Sequence, residues 1–243
     1  MKAVVLAGGK GTRLRPYTTV LPKPLMPIGD MPILEIMLRQ MKQAGVSEVY
    51  LTVGHLAEIL RAFFKDGQQF GLKINYSYEE KPLGTAGPLS LLDGLGDTFL
   101  VTNGDVLTTL NLADLVSYHK TSGAVATIAM QARQVKVDLG VLKFDEGYQL
   151  TGYIEKPTYD FHVSMGIYVF EPEVLSLIPH NDYLDFPDLV LKLIEKGEKV
   201  VGYPFDGYWQ DLGRPDDYEQ ALADFDQMRP YLLRETSPLK ENA

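Results

Sequence analysis

The chain reads Lys2-Ala-Val-Val-Leu-Ala-Gly-Gly-Lys-Gly-Thr-Arg-Leu-Arg-Pro16, an apolar run that passes directly into a glycine-rich turn. The apolar part predicts a short strand buried on both faces, as found inside parallel sheets. The first 29 residues contain five cations and no carboxylate, although the formal net charge of the protein is −9. Glycines let backbone N–H groups approach an anion, and clustered cations neutralise it. The turn therefore predicts a polyphosphate site.

Composition excludes several other classes of protein. With 243 residues, of which 45% are hydrophobic, the chain can form one large or two small domains with a sizeable core. The negative net charge argues against general binding to nucleic acid or to membrane surfaces. The absence of cysteine excludes disulfides and thiol chemistry. No signal-peptide pattern and no long apolar run is visible, so we expect a cytoplasmic protein without membrane partners.

Strand and helix patterns alternate through the first half of the chain, which predicts a mainly parallel, doubly wound sheet. The predicted elements of this half are strands at 2–7, 46–53, 72–78 and 99–102, and helices at 32–45, 55–65 and 85–92. Further strands are predicted at 124–131, 140–144, 150–154 and 163–170, and further helices at 186–196 and 215–228. No linker is visible, so we expect one α/β domain over residues 1–228, with a Rossmann-like mixed sheet flanked by helices. Residues 229–243 are expected to form a loosely tethered tail.

Two carboxylates and one lysine outside the glycine-rich turn are candidates for the same site. Asp105, in Asn103-Gly-Asp105, follows an apolar strand, where ligands gather in open α/β sheets. An Asp there suits Mg²⁺, although the tripeptide alone fits an Asx turn better. Asp211 is a second candidate, or a residue near a helix start. Lys156 follows a predicted strand and either meets a second phosphate or is solvated.

Eight sequence blocks identify a family. In their order along the chain they resemble the sugar-1-phosphate nucleotidyltransferases, over nearly the whole length. The blocks are Leu6-Ala-Gly-Gly-Lys-Gly-Thr-Arg-Leu-Arg-Pro16, Pro22-Lys-Pro-Leu-Met-Pro27, Pro32-Ile-Leu34, Pro82-Leu-Gly-Thr-Ala-Gly87, Asn103-Gly-Asp105, Glu155-Lys-Pro157, Gly166-Ile-Tyr168 and Trp209-Gln-Asp-Leu-Gly213. The resemblance implies the fold of the nucleotide-diphospho-sugar transferases, with a nucleotide-binding half over about residues 1–110 and a sugar-binding half over about 111–228. It also implies the reaction of an NTP with a sugar-1-phosphate to give an NDP-sugar and pyrophosphate, with Mg²⁺.

The resemblance also implies roles for individual residues. Arg13 and Lys23 would hold the triphosphate and stabilise the charge of the leaving pyrophosphate, and Lys156 would bind the phosphate of the sugar. Asp105 and Asp211 would bind Mg²⁺. The implied substrate-binding residues are Leu6, Gly8, Gly9, Gly11, Thr12, Glu79, Gly84, Thr85, Gly104, Gly140, Glu155 and Ser164. Of these, the resemblance places Gly8, Glu79, Gly84 and Thr85 in the base pocket. It places Glu155 against the sugar hydroxyls, and Gly140 and Ser164 at the sugar pocket.

Glu79 favours guanine as the base. A carboxylate only accepts hydrogen bonds, and guanine offers two adjacent donors on one edge, whereas thymine and uracil offer one donor between acceptors. The segment Glu79-Glu-Lys-Pro-Leu-Gly-Thr-Ala-Gly87 also resembles the mannose-1-phosphate guanylyltransferases most closely. A shift of one residue would place Glu80 at this position and leave the argument unchanged.

Two alternatives to a guanylyltransferase stay open at this stage. One is a thymidylyl- or uridylyltransferase acting on glucose-1-phosphate or a similar sugar, and the other is a catalytically silent sugar-nucleotide sensor on the same fold. Arg13, Lys23, Asp105 and Asp211 are all present, which disfavours the sensor. Mannose, heptose, fructose and other hexose phosphates stay open as the substrate, as does assembly into a homo-oligomer.

Overall fold

The computed structural model describes residues 1–234, which form a mixed sheet flanked by helices. The strands are β1 Lys2–Ala7, β2 Pro27–Ile28, β3 Met31–Pro32, β4 Glu48–Val53, β5 Lys73–Tyr78, β6 Phe99–Asn103, β7 Val106–Thr108, β8 Ala126–Lys136, β9 Val141–Phe144, β10 Leu150–Ile154, β11 Thr158–Phe170, β12 Val200–Pro204 and β13 Trp209–Asp211. The α-helices are α1 Ile33–Gln43, α2 Ala57–Phe64, α3 Leu112–Ser122, α4 Phe186–Glu195 and α5 Pro215–Leu232.

The central sheet has seven strands in the order β12-β8-β11-β6-β1-β4-β5. Strand β11 runs antiparallel to both of its neighbours, and the other neighbouring strands pair in parallel. The predicted fold class, a mainly parallel mixed sheet, is confirmed. In this register Leu6 lies opposite Thr52 of β4 and Asn103 of β6, so three strand ends meet at one edge.

Each face of the sheet carries its own core because successive side chains of a strand point to opposite faces. Val5 and Leu51 pack with α1, α2 and α3 on one face, and Val4 and Val101 pack with α4 on the other. A third cluster joins the long segment after β1 to α5, and it includes Leu14, Met26, Leu107, Leu212 and Phe225. This cluster anchors the glycine-rich turn to the end of the described chain.

Several elements differ from the sequence prediction. The predicted helix at 85–92 is a shorter 3₁₀ helix, Gly87–Leu91. Helix α3 was not predicted, although Asn111 caps it, accepting a bond from the backbone N–H of Ala113, and Gly123 ends it. Strands β8 and β11 extend past the predicted limits and pair with each other beyond the sheet. Strands β7, β12 and β13 were also missed.

The expectation of a loose tail from Arg229 is wrong for the described part of that segment. Helix α5 continues to Leu232, and Leu232 and Leu233 are buried. The side-chain amide of Gln40 in α1 donates to the carbonyl of Leu232 at 2.8 Å, and that of Gln43 donates to the carbonyl of Leu233 at 2.8 Å. Residues 235–243 lie outside the described residues. Among the helices of residues 1–234, none has both the length and the apolar character needed to cross a membrane.

A buried histidine in α3 makes the stability of the fold sensitive to acid. His119 is 1% exposed, with Nδ1 2.8 Å from the hydroxyl of Thr127 and Nε2 3.1 Å from the carboxylate of Glu171. Burial lowers the pKa of His119 from its ordinary 6.5, and the nearby Glu171 carboxylate only partly opposes this. Below about pH 6.5 the unfolded chain therefore binds a proton that the folded chain does not.

We predict that the free energy of unfolding decreases as the pH falls below about 6.5 and that His119→Gln reduces this decrease. The reason is that the substitution removes the buried group whose protonation opposes folding. Urea unfolding at several pH values measures the effect. The control is His162→Gln, at an exposed histidine in β11, which should keep the wild-type pH dependence. Equal pH dependence in His119→Gln and in the wild type would contradict the prediction.

Candidate active site

The glycine-rich turn lies at the carboxyl end of β1, where it closes one side of a cavity of about 220 Å³. Arg13 stands on a short 3₁₀ turn, Thr12–Leu14, whose Leu14 is buried beneath it. The turn is fastened by the hydroxyl of Thr18, which donates to the carbonyl of Gly11 at 2.7 Å. The cavity brings together these predicted site residues: Leu6, Gly9, Gly11, Thr12, Arg13, Lys23, Gly104 and Asp105.

Lys23 supplies a buried positive charge to this cavity. It is 9% exposed, on the 3₁₀ turn Lys23–Leu25, and its ammonium group donates to the Asp105 carboxylate. A buried ammonium group needs such a partner, since an isolated charge is strongly destabilising away from water. The guanidinium of Arg13 lies beside Gly213, just after β13, where an added Cβ would lie 3.1 Å from its Nη1. Two cations thus line one cavity.

Two carboxylates face these cations. Strand β13 pairs with β7 so that Asp211 lies opposite Val106, and the backbone N–H of Leu212 donates to the carbonyl of Asp105 at 3.0 Å. Desolvation raises the pKa of Asp211, the charge of Asp105 raises it further, and Lys23 and Arg13 counteract both effects. The four charged groups therefore form one interacting set.

The donor set formed by Asp105 and Asp211 fits Mg²⁺. No group of three or more His, Asp or Glu side chains is arranged around a common metal position among residues 1–234. Mg²⁺ does not require such a group, because it commonly takes one or two carboxylates and completes its shell with phosphate oxygens and water. Both candidates offer oxygen atoms. Asp105 lines the cavity predicted to hold phosphate, and Asp211 lines neither cavity but interacts with Asp105, Lys23 and Arg13.

A larger cleft of about 850 Å³ continues from the glycine-rich turn toward Glu79. Glu79 follows β5, and its backbone N–H donates to the carbonyl of Val53 at 3.0 Å. Its half-buried carboxylate lies against Gly8, where an added Cβ would come within 2.6 Å of Oε1. The backbone N–H of Leu83 donates to Oε2 at 3.4 Å, and burial raises the pKa of the carboxyl group. A side chain at Gly8 would therefore displace the Glu79 carboxylate from its present position.

Gly84 and Thr85, which the resemblance assigns to the base pocket, line the same cleft, and Glu80 is exposed along it. The segment 182–186, which sequence reasoning did not assign to the site, packs directly against them. Gly84 has a φ of +79°, and a Cβ there would lie 2.6 Å from the carbonyl oxygen of Leu184. The only available signal was Asp185 at the cap position before α4, which indicates a local role rather than a contact with Thr85.

The predicted sugar-side residues are more dispersed, and none of them lines either cavity. Ser164 lies at the irregular part of β11, where its hydroxyl donates to that of Tyr168 at 3.1 Å, close to the point where β11 pairs with β6. Gly140, Glu155 and Lys156 flank the open end of the β9–β10 hairpin, where the hydroxyl of Tyr153 donates to the Glu155 carboxylate at 3.0 Å. Lys156 itself is exposed, with a φ of +43°.

The sequence matches a family model described as nucleotidyl transferase over residues 2–228. The chain belongs to this family. A UTP–glucose-1-phosphate uridylyltransferase of Synechocystis is 37% identical over 242 residues, and the match covers 91% of this chain and 62% of that protein. A mannose-1-phosphate guanylyltransferase of Mycobacterium tuberculosis is 37% identical over 229 residues, covering 91% of this chain and 64% of that protein. The nucleotidyl transferase chain thus spans less than two thirds of these two relatives.

A solved structure from Bacillus anthracis shares the architecture. That protein, provisionally described as a glucose-1-phosphate thymidylyltransferase and determined with sucrose, is 25% identical to this nucleotidyl transferase. The two superpose with a TM-score of 0.74, covering 98% of this chain and 96% of the other. The fold of the nucleotide-diphospho-sugar transferases is therefore confirmed.

Proposed function

We propose that this nucleotidyl transferase moves a nucleotidyl group from an NTP to a sugar-1-phosphate, giving an NDP-sugar and pyrophosphate. The observation that supports this most directly is the convergence of Arg13 and Lys23 with Asp105 and Asp211 beside the glycine-rich turn. A neutralised, glycine-lined cavity joined to a cleft of nucleoside size suits a triphosphate whose base extends toward Glu79. The names of the relatives support the same reaction class.

The reaction needs positioning and charge neutralisation more than acid–base catalysis. An oxygen of the sugar-1-phosphate attacks the α-phosphorus of the NTP, and a new phosphorus–oxygen bond forms. The bond from the α-phosphorus to its bridging oxygen breaks, and the electron pair leaves with pyrophosphate. Since the attacking oxygen is already ionised, no general base is needed, and charge on the leaving group is the main barrier.

Each charged side chain has a role in this scheme. Arg13 and Lys23 neutralise the triphosphate, and more strongly the pyrophosphate as its charge grows. Asp105 and Asp211 would hold Mg²⁺, which would supply Lewis-acid stabilisation of phosphate oxygens. Lys156 would bind the phosphate of the sugar and Glu155 its hydroxyls. Both of these roles would require the β9–β10 hairpin to lie closer to the two cavities than it does in this structure.

We further propose that GTP is the preferred NTP and that mannose-1-phosphate or a similar hexose or heptose phosphate is the acceptor. Overall similarity does not discriminate, because relatives named for uridylyl and for guanylyl transfer are both 37% identical. The guanine proposal therefore rests on the Glu79 carboxylate in the cleft. The Synechocystis relative keeps glucose-1-phosphate uridylyl transfer as the second candidate.

Pyrophosphate release tests the proposed function. We predict that the wild-type protein releases pyrophosphate when an NTP and a sugar-1-phosphate are both supplied, most rapidly with GTP. Four NTPs should be combined with a set of hexose- and heptose-1-phosphates. The absence of pyrophosphate release in every combination would contradict the proposed reaction. Faster turnover with UTP or dTTP would contradict only the choice of base.

Removal of the divalent cation should abolish turnover. We predict that excess EDTA stops pyrophosphate release and that Mg²⁺ restores it. Asp105→Ala and Asp211→Ala should each lower kcat by about 10²–10⁴, the scale of losing an electrostatic stabiliser. Asp226→Ala, at an exposed carboxylate on α5 that lines neither cavity, is the matched control. Full activity in EDTA would show that the two carboxylates serve another purpose.

The cations should divide into two kinetic classes. We predict that Arg13→Ala and Lys23→Ala lower kcat more than they raise KM for the NTP, because the charge they meet grows as the bond breaks. Lys156→Ala should instead weaken sugar-1-phosphate binding and leave NTP affinity nearly unchanged. Separate titration of each substrate measures the division. An effect of Lys23→Ala confined to KM would mean that Lys23 only binds the NTP.

Glu79→Gln should narrow the preference for guanine. We predict a loss of GTP use of about ten- to a hundredfold, because one charge-assisted contact contributes roughly 1.5–3 kcal/mol. The difference in kcat/KM between GTP and UTP or dTTP should become smaller, since an amide can donate to a pyrimidine carbonyl. The kcat/KM for each NTP gives the result. Glu80→Gln is the matched control in the next residue, and an effect in that variant alone would move the contact to Glu80.

A further inference from the structure

The segment 182–186, here called the clasp, packs against the loop 83–87, which lines the nucleoside cleft. The backbone N–H of Leu184 donates to the carbonyl of Leu83 at 3.0 Å, and the N–H groups of Ala86 and Gly87 both donate to the carbonyl of Leu184 at 2.9 Å. A Cβ on Gly87 would come within 2.5 Å of the carbonyl oxygen of Asp182. The two segments are therefore in direct backbone contact.

Asp185 ties the side chains of the clasp and the loop together. Its Oδ1 accepts bonds from the backbone N–H and the hydroxyl of Thr85, at 2.9 and 3.1 Å. Its Oδ2 accepts the hydroxyl of Tyr183 at 2.6 Å, and the N–H of Phe186 donates to the Thr85 hydroxyl at 2.8 Å. One carboxylate thus fixes both Thr85 and the orientation of Tyr183.

The ring of Tyr183 is held in place but left uncovered. It lines the same cleft as Gly8 and Glu79, and it is 57% exposed. It makes no ring–ring contact with another aromatic side chain of residues 1–234. A ring whose orientation is already held can bind a planar ligand with little loss of side-chain entropy.

We infer that Tyr183 forms a wall of the nucleoside subsite and contacts the nucleoside of the bound NTP, with Asp185 as the positioning residue that holds the ring. The inference rests on the proposed function. Glu79 would read hydrogen-bonding groups at an edge of the base, which leaves the flat faces available. Aromatic rings bind such faces whatever the base, so Tyr183 contributes affinity and Glu79 contributes selectivity.

Nucleotide binding by substituted proteins tests this assignment without requiring turnover. Calorimetric titration with GTP should give a Kd about 5- to 100-fold higher for Tyr183→Leu than for the wild type. Tyr183→Phe, which keeps the ring but lacks the hydroxyl that Asp185 holds, should give a Kd between those of the wild type and Tyr183→Leu. The control is Tyr231→Leu, at a tyrosine of similar exposure on α5 that does not line the cleft, and it should bind GTP as the wild type does. Urea unfolding establishes that each variant is folded.

The positioning role of Asp185 requires a separate measurement. Asp185→Ala should raise the Kd for GTP, and it should raise it less in the Tyr183→Leu background, because part of its effect acts through the ring. Equal effects in both backgrounds would show that Asp185 only supports the loop, and would overturn its assigned role. The ratio of kcat/KM between NTPs should stay unchanged in Tyr183→Leu.

Three results would overturn the assignment of Tyr183. They are a wild-type Kd for GTP in Tyr183→Leu, a rise confined to the KM for the sugar-1-phosphate, and an equal loss of affinity in Tyr183→Phe. Failure of the proposed function gives a different result, since the wild-type protein would then release no pyrophosphate with any NTP and sugar-1-phosphate, whatever the Kd of Tyr183→Leu for GTP.

Discussion

The parallel pairing of β1 between β4 and β6 is the constraint on which the rest of the molecule depends. Because all three strands run in the same direction, their carboxyl ends meet at one edge, with Leu6 beside Thr52 and Asn103. The glycine-rich turn leaves this edge from β1, and Asp105 leaves it from β6. A change in the register of β1 would separate the cations of the turn from the carboxylates that they face.

The distribution of charge follows from this geometry. An acidic protein would repel a triphosphate over most of its surface, so a segment of 29 residues without a carboxylate creates a local region of opposite potential. The buried pair of Lys23 and Asp105 places part of that charge inside the fold, where water screens it least. Burial of Leu14 and Met26 against α5 then keeps the turn in position. Electrostatics and packing thus act on the same segment.

Much of the fold and part of the site could be predicted from local patterns. Local sequence patterns indicated the strands of the first half, the glycine-rich turn and Asp105. The structure brings the residues of that turn and Asp105 to one cavity. Contacts between distant segments left no such signal. Asp185 and Thr85 are 100 residues apart, and the bonds from Gln40 to Leu232 span 192 residues. The sugar-side roles of Gly140, Glu155 and Lys156 stay predictions, because the hairpin stands outside both cavities.

The close fit of Gly84 and Gly87 against the clasp restricts how this protein can change over generations. A larger residue at either position would collide with the backbone of the other segment, and a backbone atom cannot be substituted away. The residues tolerated at these two glycines are thus decided by a backbone segment about 100 residues further along the chain.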